Sequence, residues 1–407
     1  MSDVGVGTGD GPVRRLAEWG ARRDSLPTSL RAVLGYYAAT GEFDSQAVLL
    51  KRRVDETMDR LLADLYETVE TALEAEFDVA AATFRYETKL TLPAELTLGY
   101  LYRQATERAT GRFDPVTGTR SRLFGLGGDT ANRTPPPNLS ATNREAVAFV
   151  DRAEGVTDLI VKALLDGDMR DAINDAEFED FEVNDELSRA ASIQRVAEVA
   201  QETLRAETER LFDRYPDEVR AAYDRAVDIS ESHQDEDDAF RATLRDARAG
   251  EPGARDEIES AYKHASFPGD DHPFTDEERD VPYLKTQYDR VGVIYDGMID
   301  MYRGAGFDIP TAFEKSVVLA IVGAQIWLDD VDDYRDDYEE GQLTPVTAEY
   351  VLSPDDRTAY ENVVDISERY FELAVAYATE AGSPLNGIAI EYIVRSGDPT
   401  ILPGSDG

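Results

Sequence analysis

The chain has 407 residues, 42% of them hydrophobic, with 83 Asp and Glu against 42 Lys and Arg and a formal charge of −41. That length and apolar content can bury a sizeable core, while the acidity disfavours nucleic acid and anionic membrane surface as partners. There is no cysteine and only three histidines (His233, His264, His272), which excludes disulfide and thiol chemistry and leaves little room for a His-rich metal site or a Ser-His-Asp triad.

Only six of the 42 basic residues are lysine (51, 89, 162, 263, 285, 315). Acid excess with Arg in place of Lys reads as adaptation to a high-salt cytoplasm, where a Debye length of about 3 Å at molar salt screens self-repulsion. The N-terminus, Met1 to Pro12, is Gly-rich and lacks an apolar signal region, and no run of 18 or more apolar residues is apparent. A cytoplasmic protein without a membrane span is expected, and a homodimer is an assembly open to it.

Residues 1–12 read as disordered. Nearly all that follows has helical period. Segment 13–39 carries Leu16, Trp19, Leu30, Val33, Leu34 and Tyr37, broken at Pro27, and segment 44–78 repeats apolar residues at three and four (Val54, Met58, Leu61, Leu65, Val69, Leu73). A helix over 94–110 follows Pro93; Thr83–Leu92 is the one strand candidate. From Gly111 to Thr142 the chain turns rich in Gly, Pro, Asn and Thr, a long loop bearing Arg112, Arg120, Arg122 and Arg133. Helical pattern resumes at 143–178 and 184–229. Residues 228–280 read as a charged, exposed connector with one short helix. Helices are expected at 281–304, 310–339, 346–352 and 354–381, and 383–407 reads as a mostly irregular tail. The expected fold is all-α, a single large helical bundle over 13–382.

The segment that points to chemistry is Val317–Leu328, apolar all round, running into six aspartates within nine residues (329–337). On one uninterrupted α-helix Asp329, Asp333, Asp336 and Glu340 fall on one stripe, and Asp330 and Asp337 share a second with Asp333. Like charges at that spacing oppose the helix, and acids near a helix C-terminus oppose its macrodipole. A divalent cation would answer both, since Mg²⁺ takes carboxylates together with substrate phosphate oxygens. The plain alternative is an acidic face solvated in salt.

The stretch Gln325-Ile-Trp-Leu-Asp-Asp-Val-Asp-Asp-Tyr-Arg-Asp-Asp-Tyr-Glu-Glu-Gly-Gln-Leu-Thr-Pro345 resembles the aspartate-rich motif of class I isoprenoid synthases. Asp329, Asp330 and Asp333 match its Asp-Asp-x-x-Asp spacing, as do Asp332, Asp333 and Asp336 in a second register. The resemblance implies an all-α terpenoid-synthase-like bundle in which Mg²⁺ on Asp329, Asp330, Asp333 and Asp336 polarises a prenyl diphosphate. A second acidic motif should face the first. One candidate is Asp168, Asp171 and Asp175, at i, i+3 and i+7 after an apolar run. Asn184-Asp185-x-x-Ser188 is another, with Ser192 where the family has Glu. A hairpin of 281–304 on 310–339 would set Lys285 and Tyr288 opposite the acids, with Asp296 and Asp300 far from Asp329. Lys285, Arg335 and Arg120 are the candidate diphosphate ligands; structural pairing with acids is the competing role for each. Two other functions remain open: a non-catalytic helical interaction or scaffold protein, and a metal-dependent phosphohydrolase.

Overall fold

A computed structural model of the chain describes residues 21, 28–41, 45–86, 88, 90–111, 113–117, 119–120, 139–269 and 272–405. The expectations for residues 1–12 and most of the 111–142 loop lie outside the described residues. Helix makes up 76% and strand 2%, so the all-α expectation holds. The single bundle does not. The chain divides into two compact units, one of Met1–Ser45, Ala226–Asp296 and Pro310–Gly407, the other of Gln46–Arg225 and Gly297–Ile309. Helical periodicity reveals which face of a helix is apolar, but not which faces share a core.

The unit built mainly from 46–225 follows its pattern closely. Helix Ser45–Phe77 buries Val54, Met58, Leu61, Leu65, Val69 and Leu73. Helix Leu92–Arg108 begins with Pro93 in its first turn and buries Leu98, Leu101 and Tyr102. Helix Ala141–Asp175 is capped by Ser140, whose hydroxyl accepts from the Asn143 N–H at 3.2 Å, and it packs on both Leu92–Arg108 and Ile193–Phe212. The strand candidate is three residues long: Phe84–Tyr86 pairs antiparallel with Phe181–Val183, and Phe84, Tyr86 and Phe181 are buried. The helical pattern expected over 184–229 is divided among three helices, Asp185–Ala190, Ile193–Phe212 and one starting at Asp217. Asn184 and Ser192 each cap a new start, accepting from Leu187 N–H and Arg195 N–H.

The second unit departs from expectation in two places. Residues 228–280 are not an exposed connector. They form helices Asp237–Ala249 and Ala254–Glu257, a π-turn Ile258–Lys263 and helix Asp276–Arg279, and they bury Leu244, Ala247, Ile258, Tyr262 and Phe274. Each helix there shows the core only a narrow stripe, so acids outnumber apolar residues and mask the period. Nor is 383–407 mostly irregular, since Pro384–Ser396 is a helix that buries Leu385, Ile390 and Ile393. Gly387 permits this docking, because a Cβ there would lie 2.1 Å from Tyr36 Cε2.

The core of this unit is helix Thr311–Ala324, which continues through π-turn Gln325–Asp330 and lies across helix Asp356–Glu380. The crossing is close at Gly323, where a Cβ would stand 3.0 Å from Tyr370 Cβ and Phe371 Cε1. A window within Thr311–Asp330 has mean hydropathy 1.3 and passes, by length and composition, as a membrane span, and 67% of that window is buried inside the protein. Core burial accounts for that apolarity. Within it Lys315 meets Glu278 at 2.7 Å, with only 7% and 6% of the two side chains exposed.

Candidate functional site

Three π-turns occur among the described residues of this unit: Ile258–Lys263, Tyr288–Gly292 and Gln325–Asp330. A π-turn holds one residue more than an α-turn and is frequent at functional sites. The extra residue advances the phase of everything after it by about 100°, one residue's rotation on an α-helix. The acids are thereby rotated as a group relative to the apolar helix, while the Asp333 and Asp337 N–H groups still bond to the carbonyls four residues back, at Asp329 and Asp333. Asp330 turns inward and is 2% exposed, Asp329 and Asp337 are half-buried, and Asp332, Asp333, Asp336 and Glu340 are exposed. A break at Asp333 (φ −87°, ψ 1°) separates the π-turn from helix Tyr334–Glu340.

Each π-turn supplies a member of one buried polar centre. Arg290, from the second, donates through Nη1 to Asp330 Oδ1, from the third, at 3.2 Å. The other oxygen, Asp330 Oδ2, is buried without a hydrogen bond of good geometry, while the Gln325 side chain lies close enough to favour the charged form of Asp330. Tyr262, from the first, donates its hydroxyl to the Leu343 carbonyl at 2.7 Å and accepts from Gln287 Nε2 at 3.4 Å. Gln287 is fully buried and its Oε1 is also unpartnered. Asp237, at the start of a neighbouring helix, hydrogen-bonds the Gln342 side chain, while the Gln342 N–H donates to the Asp337 carbonyl at 2.8 Å. Buried His233 stands near Arg290 as well.

The electrostatics follow from burial around one cation. Desolvation raises Asp330 to about 6 against the attraction of Arg290, and it raises Asp337 to about 7, with the charge of Asp330 next in weight. Burial also raises Asp237, while burial and then Arg290 and Lys285 hold His233 down at about 4. Three carboxyls from two chain segments thus surround one guanidinium, and two of them are poised near neutrality. Titratable groups displaced by burial and by named charges are a mark of functional sites.

The residues expected from sequence are distributed as follows. Asp329, Asp330, Asp333 and Asp336 share one segment, but only Asp330 joins the centre. Residues 285–290 do lie opposite the core helix, although the group reaching the acids is Arg290; Lys285 pairs with Asp289 on its own turn. Arg335 is exposed and lines a surface pocket with Val331, Asp332, Tyr334 and Ile401. Asp171 and Asp175 belong to the other unit, where Asp171 lies 3.7 Å from Arg170 and the side chain of Asp175 is outside the described residues. The side chain of Arg120, in strand Thr119–Arg120, is likewise outside them. Asn184 and Ser188 form a helix cap, with Ser188 Oγ donating to the Asn184 carbonyl at 3.1 Å. Asp300 pairs with Arg225 and Arg303.

Sequence reading missed His233, Asp237, Tyr262, Gln287, Arg290 and Gln342. All but Arg290 are uncharged side chains that only folding brings together, or lie in the segment taken for a connector. The acid run 235–238 beside His233 was the one visible signal. Among the described residues no group of three or more His, Asp or Glu is arranged to hold a metal ion. Mg²⁺, however, binds through one or two carboxylates plus substrate phosphates. The carboxyls of Asp330 and Asp337 are oxygen donors of that kind, set beside the Arg290 guanidinium. Comparison of the chain with protein-family models, curated proteins and solved structures finds no match.

Proposed function

We propose that this protein is a Mg²⁺-dependent enzyme of the class I isoprenoid synthase type, acting on a prenyl diphosphate by prenyl transfer or cyclisation. The observation that carries this reading is Asp330. A carboxylate sunk at the end of an apolar core helix, with one oxygen lacking a hydrogen bond of good geometry and an arginine on the other, suits a metal-bridged phosphate better than it suits stability. Asp330 and Asp337 would hold the ion, whose chemistry is Lewis-acid polarisation of a phosphoryl oxygen. Arg290 would take diphosphate oxygens through its remaining donors, since a guanidinium offers five in a planar fork. Burial of these groups away from water strengthens every charge interaction made there. The acid-rich, Lys-poor composition supports a high-salt cytoplasm as its setting.

The test is diphosphate release from geranyl, farnesyl and geranylgeranyl diphosphates in molar KCl with Mg²⁺, comparing wild type with Asp330→Asn/Asp337→Asn and with the exposed-site control Asp333→Asn/Asp336→Asn. Release lost only in the first pair supports the reading; no release by folded wild-type protein overturns it. The second reading, a non-catalytic helical interaction protein, draws on the lack of a three-carboxylate group among the described residues and on the neutralisation of Asp330 by Arg290.

A further inference from the structure

The surface pocket lined by Val331, Asp332, Tyr334, Arg335 and Ile401 takes no part in the buried centre. Its volume is about 380 Å³, within the range of pockets that hold small molecules. Val331 is fully buried beneath it, and Ile401, 47% exposed, is among the few large apolar side chains this open among the described residues. The apolar walls are held in place. The Tyr334 ring packs on Tyr350, centroids 4.5 Å apart, and the Tyr350 hydroxyl donates to the Pro403 carbonyl at 2.5 Å. Ile401 closes the turn Pro399–Ile401, which Asp398 caps by accepting from the Thr400 N–H at 3.1 Å. Buried Leu402 anchors the next position. Gly404 (φ +83°) lets this segment seat, because a Cβ there would stand 2.4 Å from the Asp356 backbone. The pocket is therefore shaped before any ligand arrives, which lowers the cost of binding.

Two opposite charges stand in the same lining, and both are exposed. Asp332 and Glu339 lie three residues before and four after Arg335, spacings at which helical ion pairs form. Even so, among the described residues neither the Arg335 nor the Asp332 side chain makes an ion pair or hydrogen bond. A guanidinium left unpaired in a chain of charge −41 calls for a ligand. We infer that this pocket binds a small apolar α-amino acid as its zwitterion. Arg335 takes the carboxylate in its planar fork, Asp332 takes the ammonium, and the aliphatic side chain lies against Val331, Tyr334 and Ile401. Charge selects this class. A simple carboxylate would meet the exposed Asp333 and Asp336 on either side of Arg335, and a simple cation would have no use for Arg335. A ligand with both charges and no net charge satisfies both groups and meets little repulsion. The site is independent of the metal reading, so either can fail alone.

The experiment is equilibrium dialysis of the full chain against radiolabelled L-leucine in molar KCl at neutral pH. Unlabelled leucine, leucinamide (no carboxylate), N-acetyl-leucine (no ammonium) and alanine (no branched side chain) compete in parallel. Saturable binding is expected, with leucine competing at least about tenfold better than either capped form, because each cap removes a charge-assisted contact. Alanine should compete more weakly than leucine. Arg335→Gln should weaken leucine by at least about tenfold and abolish its advantage over leucinamide. Ile401→Ser should weaken leucine and reduce its advantage over alanine. Arg369→Gln, an exposed arginine that lies 3.6 Å from Glu372 on a separate helix, should leave binding unchanged. Circular dichroism checks each fold. Absence of saturable leucine binding by the folded wild-type chain overturns the proposal. So does equal competition by the capped forms, or leucine binding that Arg335→Gln or Ile401→Ser leaves intact. The wild-type competition series decides the matter by itself should a variant misfold.

Discussion

Replacing Arg290 with Met should cost stability in a strongly pH-dependent way. The reason is that Asp330, 2% exposed, has Arg290 as its one charged partner at hydrogen-bond distance. With Arg290 in place Asp330 titrates at about 6. Its folded-state value is raised, so between about 4 and 6 the native state binds more protons than the unfolded one, and stability falls as pH climbs through that window. Keeping a carboxyl with an ordinary value near 3.9 fully neutral at pH 8 costs about 6 kcal/mol, of which a group titrating near 6 already bears about half. Without the guanidinium Asp330 is driven toward that limit, so the electrostatic cost of Arg290→Met is at most about 3 kcal/mol at pH 8. At pH 5 Asp330 is mostly neutral in both proteins, and the same arithmetic leaves well under about 1 kcal/mol. Urea unfolding of wild type and variant at pH 5, 6.5 and 8, at constant high salt, measures the difference. An equal loss at all three pH values would refute the assignment of Asp330 as a buried, Arg-held carboxylate. Arg290→Met/Asp330→Asn should remove the pH dependence of the loss.

Two further outcomes follow from the packing of the same unit. Lys315→Met should destabilise by about 3–5 kcal/mol, because it leaves Glu278 buried and uncompensated; Lys315→Met/Glu278→Gln should recover more than half of that in chemical denaturation. Gly397→Ala places a Cβ 2.2 Å from Trp327 Nε1, so it should cost about 1–3 kcal/mol and shift Trp327 emission. An unshifted spectrum at wild-type stability would show that Gly397 does not lie under the indole.

By itself the sequence determined the helical class, the buried face of Ser45–Phe77 and the core character of Thr311–Ala324, because each rests on apolar period within one element. It also indicated that the residues around 285–290 would lie against the core helix, and the turn Tyr288–Gly292 does pack on Thr311–Ala324. What it could not decide was phase. Placing the acids relative to the apolar face assumes 3.6 residues per turn throughout, and the π-turn Gln325–Asp330 breaks that assumption where the apolar run meets the acids. Nothing local announces a π-turn, whose cost must be met by packing around it. The partnership of Arg290 with Asp330 spans 40 residues, and that of Tyr262 with Leu343 spans 81. Such pairs depend on how separate helices dock, a long-range property of shape and burial. Tertiary structure alone chose which of six neighbouring aspartates faces the core, because only there does a buried cation make an inward carboxylate affordable.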